Sequence, residues 1–175
     1  MNKMNTRKMT LSAILMAVGY ILHQIVPGIP FLGGMKMDFL LVMMFFSIFM
    51  MDTYREVLAV AMVCGIISAM TTTFPGGQIA NLVDKLITGS LVYFVYNNVA
   101  KSLPKTIKVS VIALLGTIVS GGIFLSVGLQ VSGAPISFLD LFIAIVLPTS
   151  VLNMVLALFM EKIMERAGYK LLKKA

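Results

Sequence analysis

Of 175 residues, 59% are hydrophobic and only 12% are charged, and the mean hydropathy is +0.98. A soluble domain would be roughly 45–50% apolar and about 25% charged, so a soluble globule is excluded in favour of an all-α polytopic membrane protein. The formal net charge of +7 sits at the flanks of apolar runs, which makes it topological and gives no indication of a nucleic-acid partner.

Six apolar stretches can be drawn, each close to the ~20 residues that a helix needs to cross the hydrocarbon. The first, Met9–Val26, has a basic flank as signal peptides do. It is longer than a typical h-region and runs into Pro27-Gly28-Ile29-Pro30 without a small-x-small cleavage site, which predicts a retained helix. Ala13 and Ala17, four residues apart, allow close approach of another helix, in the bundle or from a partner subunit. His23 lies near the end of this segment. With one histidine and one cysteine in the chain, neither a metal site nor another cofactor is expected.

The second stretch, Met35–Met51, is expected to begin near Gly34 and to keep Lys36 and Asp38 at the rim. The third, Val57–Thr73, holds Cys64 as a buried small hydrophobe, and Ala61, Gly65 and Ala69 at helix-packing spacing. The fifth, Val109–Val131, carries a similar set in Gly116, Ser120, Gly121, Gly122 and Ser126. The sixth, Phe138–Met160, contains one polar residue of note, Asn153, suited either to a ligand contact or to an interhelical hydrogen bond. The fifteen methionines are scattered without a His or Cys cluster, so they read as core or lipid-facing filler rather than a soft-metal site.

The fourth stretch, Gln78–Val99, carries most of the information. Asp84 and Lys85 stand side by side in an apolar run, where each charge costs about 2.5–3.5 kcal/mol to insert. Gln78, Asn81, Lys85 and Thr88 recur at helical spacing, so they share one face. Asp84 lies about 100° around the helix from Lys85, so the two are expected to seek separate partners rather than each other. Pro75-Gly76-Gly77 precedes the segment, and the amides of the following first turn could attract a carboxylate. A zwitterionic amino acid suits these groups. Lys85 or Lys36 would meet its carboxylate, and Asp84 or Asp38 its ammonium. Phe31, Phe74, Met35 and the glycine turns around Gly34 and Gly77 would wrap an apolar side chain.

The connections alternate in character. Residues 27–38, 74–78 and 132–140 are rich in Gly and Pro, whereas residues 52–56 and 101–108 are short, polar and basic. With both termini inside, twelve of the fourteen Lys and Arg become cytoplasmic, which the positive-inside rule favours. No composition shift divides the chain, so residues 1–175 read as one six-helix domain. A phosphate-binding loop, a zinc-protease helix and a Ser-His-Asp set are all missing from the sequence. The expected role is that of a binder or carrier, not an enzyme.

Four strings carry a family resemblance: GGMKMDFLLVMMF (Gly33–Phe45), GIISAMTTTFPGGQIANLVDK (Gly65–Lys85), GTIVSGGIFLS (Gly116–Ser126) and VLPTSVLNMVL (Val146–Leu156). The chain resembles the bacterial tryptophan transporter family, which is similar to the substrate-binding S components of energy-coupling factor (ECF) transporters. That resemblance implies a bacterial cell-membrane protein with tryptophan as its substrate and both termini in the cytoplasm. It also implies a membrane coupling subunit and two cytoplasmic ABC ATPases as partners. An alanine-x-x-x-alanine pattern typical of the coupling contact matches Ala13 and Ala17, and the loop between the first two helices often serves as a lid. On this reading Lys85 binds the carboxylate, Asp84 the ammonium, and Gln78 and Asn81 orient the ligand beneath residues 33–38. The alternative is an autonomous, ion-coupled secondary transporter for tryptophan or another small aromatic nutrient.

Overall fold

The structure, a computed structural model, describes residues 6–27, 37–99 and 103–168. Among the described residues six helices follow in order: α1 (Thr6–Ile25), α2 (Phe39–Met50), α3 (Tyr54–Thr71), α4 (Gly77–Phe94), α5 (Lys105–Ser132) and α6 (Phe138–Arg166). Helix α4 runs on into a π-helical turn at Val95–Val99, and α6 contains another at Phe142–Val146. All but α2 are long and apolar enough to cross a membrane. Side chains such as Ile14, Met70, Leu115, Val155 and Phe159 are exposed on the flanks of the bundle. This is a polytopic membrane protein.

Helix α2 is the exception, and the bundle is built around it. Its 12 residues rise only about 18 Å, well short of a hydrocarbon core of about 30 Å. All of them are buried, so the helix is enclosed by its neighbours on every side. It starts at Phe39 and not near Gly34, because the Asp38 carboxylate accepts the Leu41 amide at 3.0 Å and closes the first turn as an N-cap. Residues 28–36 lie outside the described residues. At its other end, Phe49 stacks on Tyr96 with ring centroids 4.6 Å apart, and the Lys108 ammonium sits 3.7 Å from the same tyrosine ring.

Ion pairs and hydrogen bonds fix the ends of the bundle. Lys8 at the start of α1 pairs with Asp52 beyond α2. The Tyr93 hydroxyl near the end of α4 reaches the Asp52 carbonyl at 3.4 Å. Lys105 at the start of α5 pairs with Glu161 and Glu165 of α6. These contacts gather at one end, termed here the basic end. They also explain why α5 begins at Lys105, ahead of the apolar run from Val109, and why α6 continues past Met160 to Arg166. Thr53 and Glu56 close α3 there with a reciprocal capping box.

Close packing follows the small residues. A Cβ on Gly89 of α4 would lie 2.9 Å from Ala61 Cβ of α3, and one on Gly116 of α5 would lie 2.8 Å from the Phe45 ring of α2. The expected packing role of Ala61, Gly65 and Gly116 is therefore seen in these interfaces. Helix α6 winds into a π turn just before Pro148, which lacks the amide needed to continue the regular ladder. Gly89→Ala is expected to lower the detergent melting temperature by several degrees, since overpacking costs about 1–3 kcal/mol. Gly122→Ala, whose new methyl would find its nearest neighbour at 3.6 Å, should change it little.

Candidate functional site

The turn between α3 and α4 is formed by residues that can do little else. Thr72 Oγ1 accepts the Phe74 amide at 3.2 Å. Gly76 adopts φ 71°, a left-handed conformation, while its backbone lies against Val131 and the Gly128 carbonyl. Helix α4 then starts at Gly77 and buries a stripe made of Gly77, Ala80, Asn81, Asp84, Lys85 and Thr88. Asn81 Nδ2 donates to the Ser68 and Gly77 carbonyls, tying the first turns of α4 to α3.

Deeper along α4, Asp84 is completely buried and accepts three hydrogen bonds. Lys85 Nζ donates to Oδ2 at 2.6 Å, Ser120 Oγ to Oδ2 at 2.8 Å and Thr88 Oγ1 to Oδ1 at 2.8 Å. The expectation that the adjacent pair would look elsewhere is overturned. The four-carbon stem of Lys85 is long enough to fold around the helix surface, so an offset of about 100° between Cβ atoms does not separate the charges. Lys85 also donates to Ser120 Oγ at 3.3 Å and lies 3.7 Å from Asp38 Oδ2. A buried charge is tolerable when it is paired and its remaining valences are satisfied, and Asp84 meets that condition.

Asp38 joins this cluster from α2. Its amide donates to Asn153 Oδ1 at 2.8 Å, and Asn153 Nδ2 donates to Thr117 Oγ1 at 3.1 Å. His23 Nδ1 of α1 lies 4.0 Å from Asp38 Oδ1. Asp38 is thus drawn into the bundle rather than left at the rim. The network connects α2, α4, α5 and α6, with α1 alongside.

Above the cluster opens a cavity of about 310 Å3, at the lower end of the ~300–1,000 Å3 usual for small-molecule sites. Asp38, Asn81, Asp84 and Lys85 supply its charged and amide groups, and His23 lies at one side. Phe74 and Phe124, edge-to-face at 5.4 Å, form an aromatic wall with Leu125, Ile145 and Val146. The side chain of Asp38 is 29% exposed, whereas those of Asp84 and Lys85 are 0% and 4% exposed. Asp38 is therefore the most accessible of the three, and Asp84 the most enclosed.

The structure brings together Asp38, Phe74, Asn81, Asp84 and Lys85. Gln78 does not join them. It lies at the margin of the buried stripe in the first turn of α4, and its side chain is exposed. Gly77 is buried against Thr72 and Phe74, where a Cβ would overlap the Thr72 side chain. Asn153 is fully buried and serves an interhelical hydrogen bond. Gly34, Met35 and Lys36 lie outside the described residues. Ala13 and Ala17 are both exposed on α1. Sequence reasoning missed Thr117, Phe124 and Thr149, which line the cavity. The signal for Thr117 was its three-residue spacing from Ser120, two hydroxyls on one face of an otherwise apolar helix.

The sequence matches the family model described as Tryptophan transporter TrpP over residues 5–167. It is 45% identical over 150 residues to a probable tryptophan transport protein of Bacillus subtilis, covering 86% of each chain. Against a protein of the same description from Clostridium acetobutylicum it is 39% identical over 151 residues, 86% of this chain and 87% of that one. A third, from Clostridium perfringens, is 37% identical over 174 residues, 93% of each. No solved structure gives a significant match.

Lys85→Met would leave Asp84 and Asp38 facing each other without the intervening ammonium. A loss of about 3–5 kcal/mol is expected, the usual consequence of breaking a buried pair. The double change Asp84→Asn with Lys85→Met should be more stable than Lys85→Met alone, as measured by thermal unfolding in detergent.

Proposed function

Because the chain belongs to the tryptophan transporter TrpP family, we propose that it binds tryptophan in the cavity above Asp38 and Lys85 for uptake across the bacterial membrane. The observation that carries this reading is the 3.7 Å approach of Lys85 Nζ to Asp38 Oδ2 beside an aromatic wall. An α-amino acid presents a carboxylate and an ammonium on adjacent bonds, and a neighbouring cation and anion complement them. Lys85 donates to the substrate carboxylate. Asp38, the more exposed of the two acids, accepts from the ammonium. Asp84, already holding three donors, acts as the anchor that keeps Lys85 in place. Asn81 flanks the ligand, and Phe74 and Phe124 enclose the ring.

The same proposal extends to energy coupling. The protein works as a substrate-binding component similar to the ECF S components, with a membrane coupling subunit and two cytoplasmic ATPases. The exposed Ala13 and Ala17 on α1 support a helix-packing contact on that face. The gathering of Lys8, Lys105 and Lys108 at the basic end supports a cytoplasmic orientation for that end and for both termini.

Asp38→Asn keeps the size and the N-cap oxygen of the side chain but loses the charge. Calorimetric titration of tryptophan into purified protein should show affinity weakened about 10- to 100-fold, as expected for a charge-assisted hydrogen bond. Unchanged affinity would remove Asp38 from the site. Protein alone in liposomes should bind tryptophan without accumulating it under a proton or sodium gradient. Gradient-driven accumulation would favour an autonomous transporter instead.

A further inference from the structure

Four of the hydroxyls that line the cavity are committed to partners within the protein. Thr71 donates to the Ile67 carbonyl and Thr72 accepts from the Phe74 amide. Thr117 accepts from Asn153, and Ser120 donates to Asp84. Thr149 of α6 lines the same cavity and makes no hydrogen bond with any described residue. A helical threonine ordinarily turns its hydroxyl to the carbonyl one turn earlier. For Thr149 that residue is Ile145, which belongs to the π-helical turn Phe142–Val146. A π turn displaces carbonyls from their α-helical register, and such turns recur at functional sites.

The place of Thr149 can be set by the Asn153–Thr117 hydrogen bond, which fixes the register of antiparallel α6 and α5. One helical turn toward the cavity mouth, about 6 Å, lie Thr149 on α6 and Gly121 on α5. Gly121 presents no side chain, and Phe124 stands another turn out, against Phe74. The open hydroxyl thus lies between the charged floor and the aromatic wall. A ring attached one carbon beyond the amino-acid head would occupy that level.

We propose that Thr149 is the specificity-determining residue of the site, its hydroxyl accepting the ring N–H of a bound indole. This rests on the tryptophan reading above. A buried N–H left without an acceptor is costly, and a site built to receive one discriminates against rings that lack it. The residue would thereby set tryptophan apart from aromatic amino acids without a ring N–H.

The test compares tryptophan with its benzothiophene analogue, in which sulfur replaces the ring N–H at nearly the same shape. Calorimetric titration into the full-length wild-type protein should favour tryptophan by about ten-fold or more, the effect of one buried hydrogen bond. In Thr149→Val, nearly isosteric but without a hydroxyl, that ratio should fall close to one. Thr149→Ser should retain it. The same ratio in wild type and Thr149→Val, or equal binding of both ligands by wild type, overturns this assignment while leaving tryptophan binding intact. Failure of the wild type to bind tryptophan at all overturns both.

Discussion

The organisation of this protein depends on a helix too short for its surroundings. Helix α2 is enclosed on all sides, yet its first turn ends inside the bundle rather than at an aqueous surface. Backbone amides left unpaired in an apolar interior cost several kcal/mol each. They must therefore be met by side chains placed at the start of the helix. Asp38 caps the turn with its carboxylate, and its own amide is received by Asn153. Once a carboxylate has been placed there, a cation must accompany it, and Lys85 comes within 3.7 Å. Lys85 in turn is held by Asp84, which is held by Ser120 and Thr88. One truncated helix thus requires a chain of polar groups through three others.

That chain also accounts for the cavity. Among the described residues, the cavity adjoins the start of α2, with Asp38, Leu40 and Leu41 in its lining. Its floor is charged because the helix cap is charged. Its walls are aromatic and aliphatic because they are the inward faces of ordinary apolar helices. The combination of an anion–cation floor with an aromatic wall is the chemistry an aromatic amino acid requires. Structural need and the proposed ligand recognition therefore share the same residues.

Much of the fold was legible in the sequence because lipid imposes a coarse and unambiguous signal. Six apolar runs, their approximate limits and the packing role of Ala61, Gly65 and Gly116 follow from hydropathy and residue size. The unusual pair at 84 and 85 was visible for the same reason, since charges are conspicuous in an apolar run. Contacts between elements were less legible. Helical spacing grouped Gln78 with Lys85, but spacing does not say where neighbouring helices stop, and Gln78 is left exposed. Cβ angles separated Asp84 from Lys85, yet a flexible stem closes the gap to 2.6 Å.

What residue order alone determines here is composition-driven: helices, their number, the distribution of basic residues and the family to which the chain belongs. These depend on local hydrophobicity and local strings, which need no partner in space. What only the tertiary arrangement decided is which polar groups meet. Asp38 precedes Lys85 by 47 positions and Asn153 lies beyond by 68 more, and nothing in a one-dimensional pattern pairs them. They converge because α2 stops short: the Asp38 amide is received by Asn153 of α6, and the cap carboxylate is approached by Lys85 of α4. The same arrangement leaves the Thr149 hydroxyl without a partner, a fact that only the packed helices could reveal.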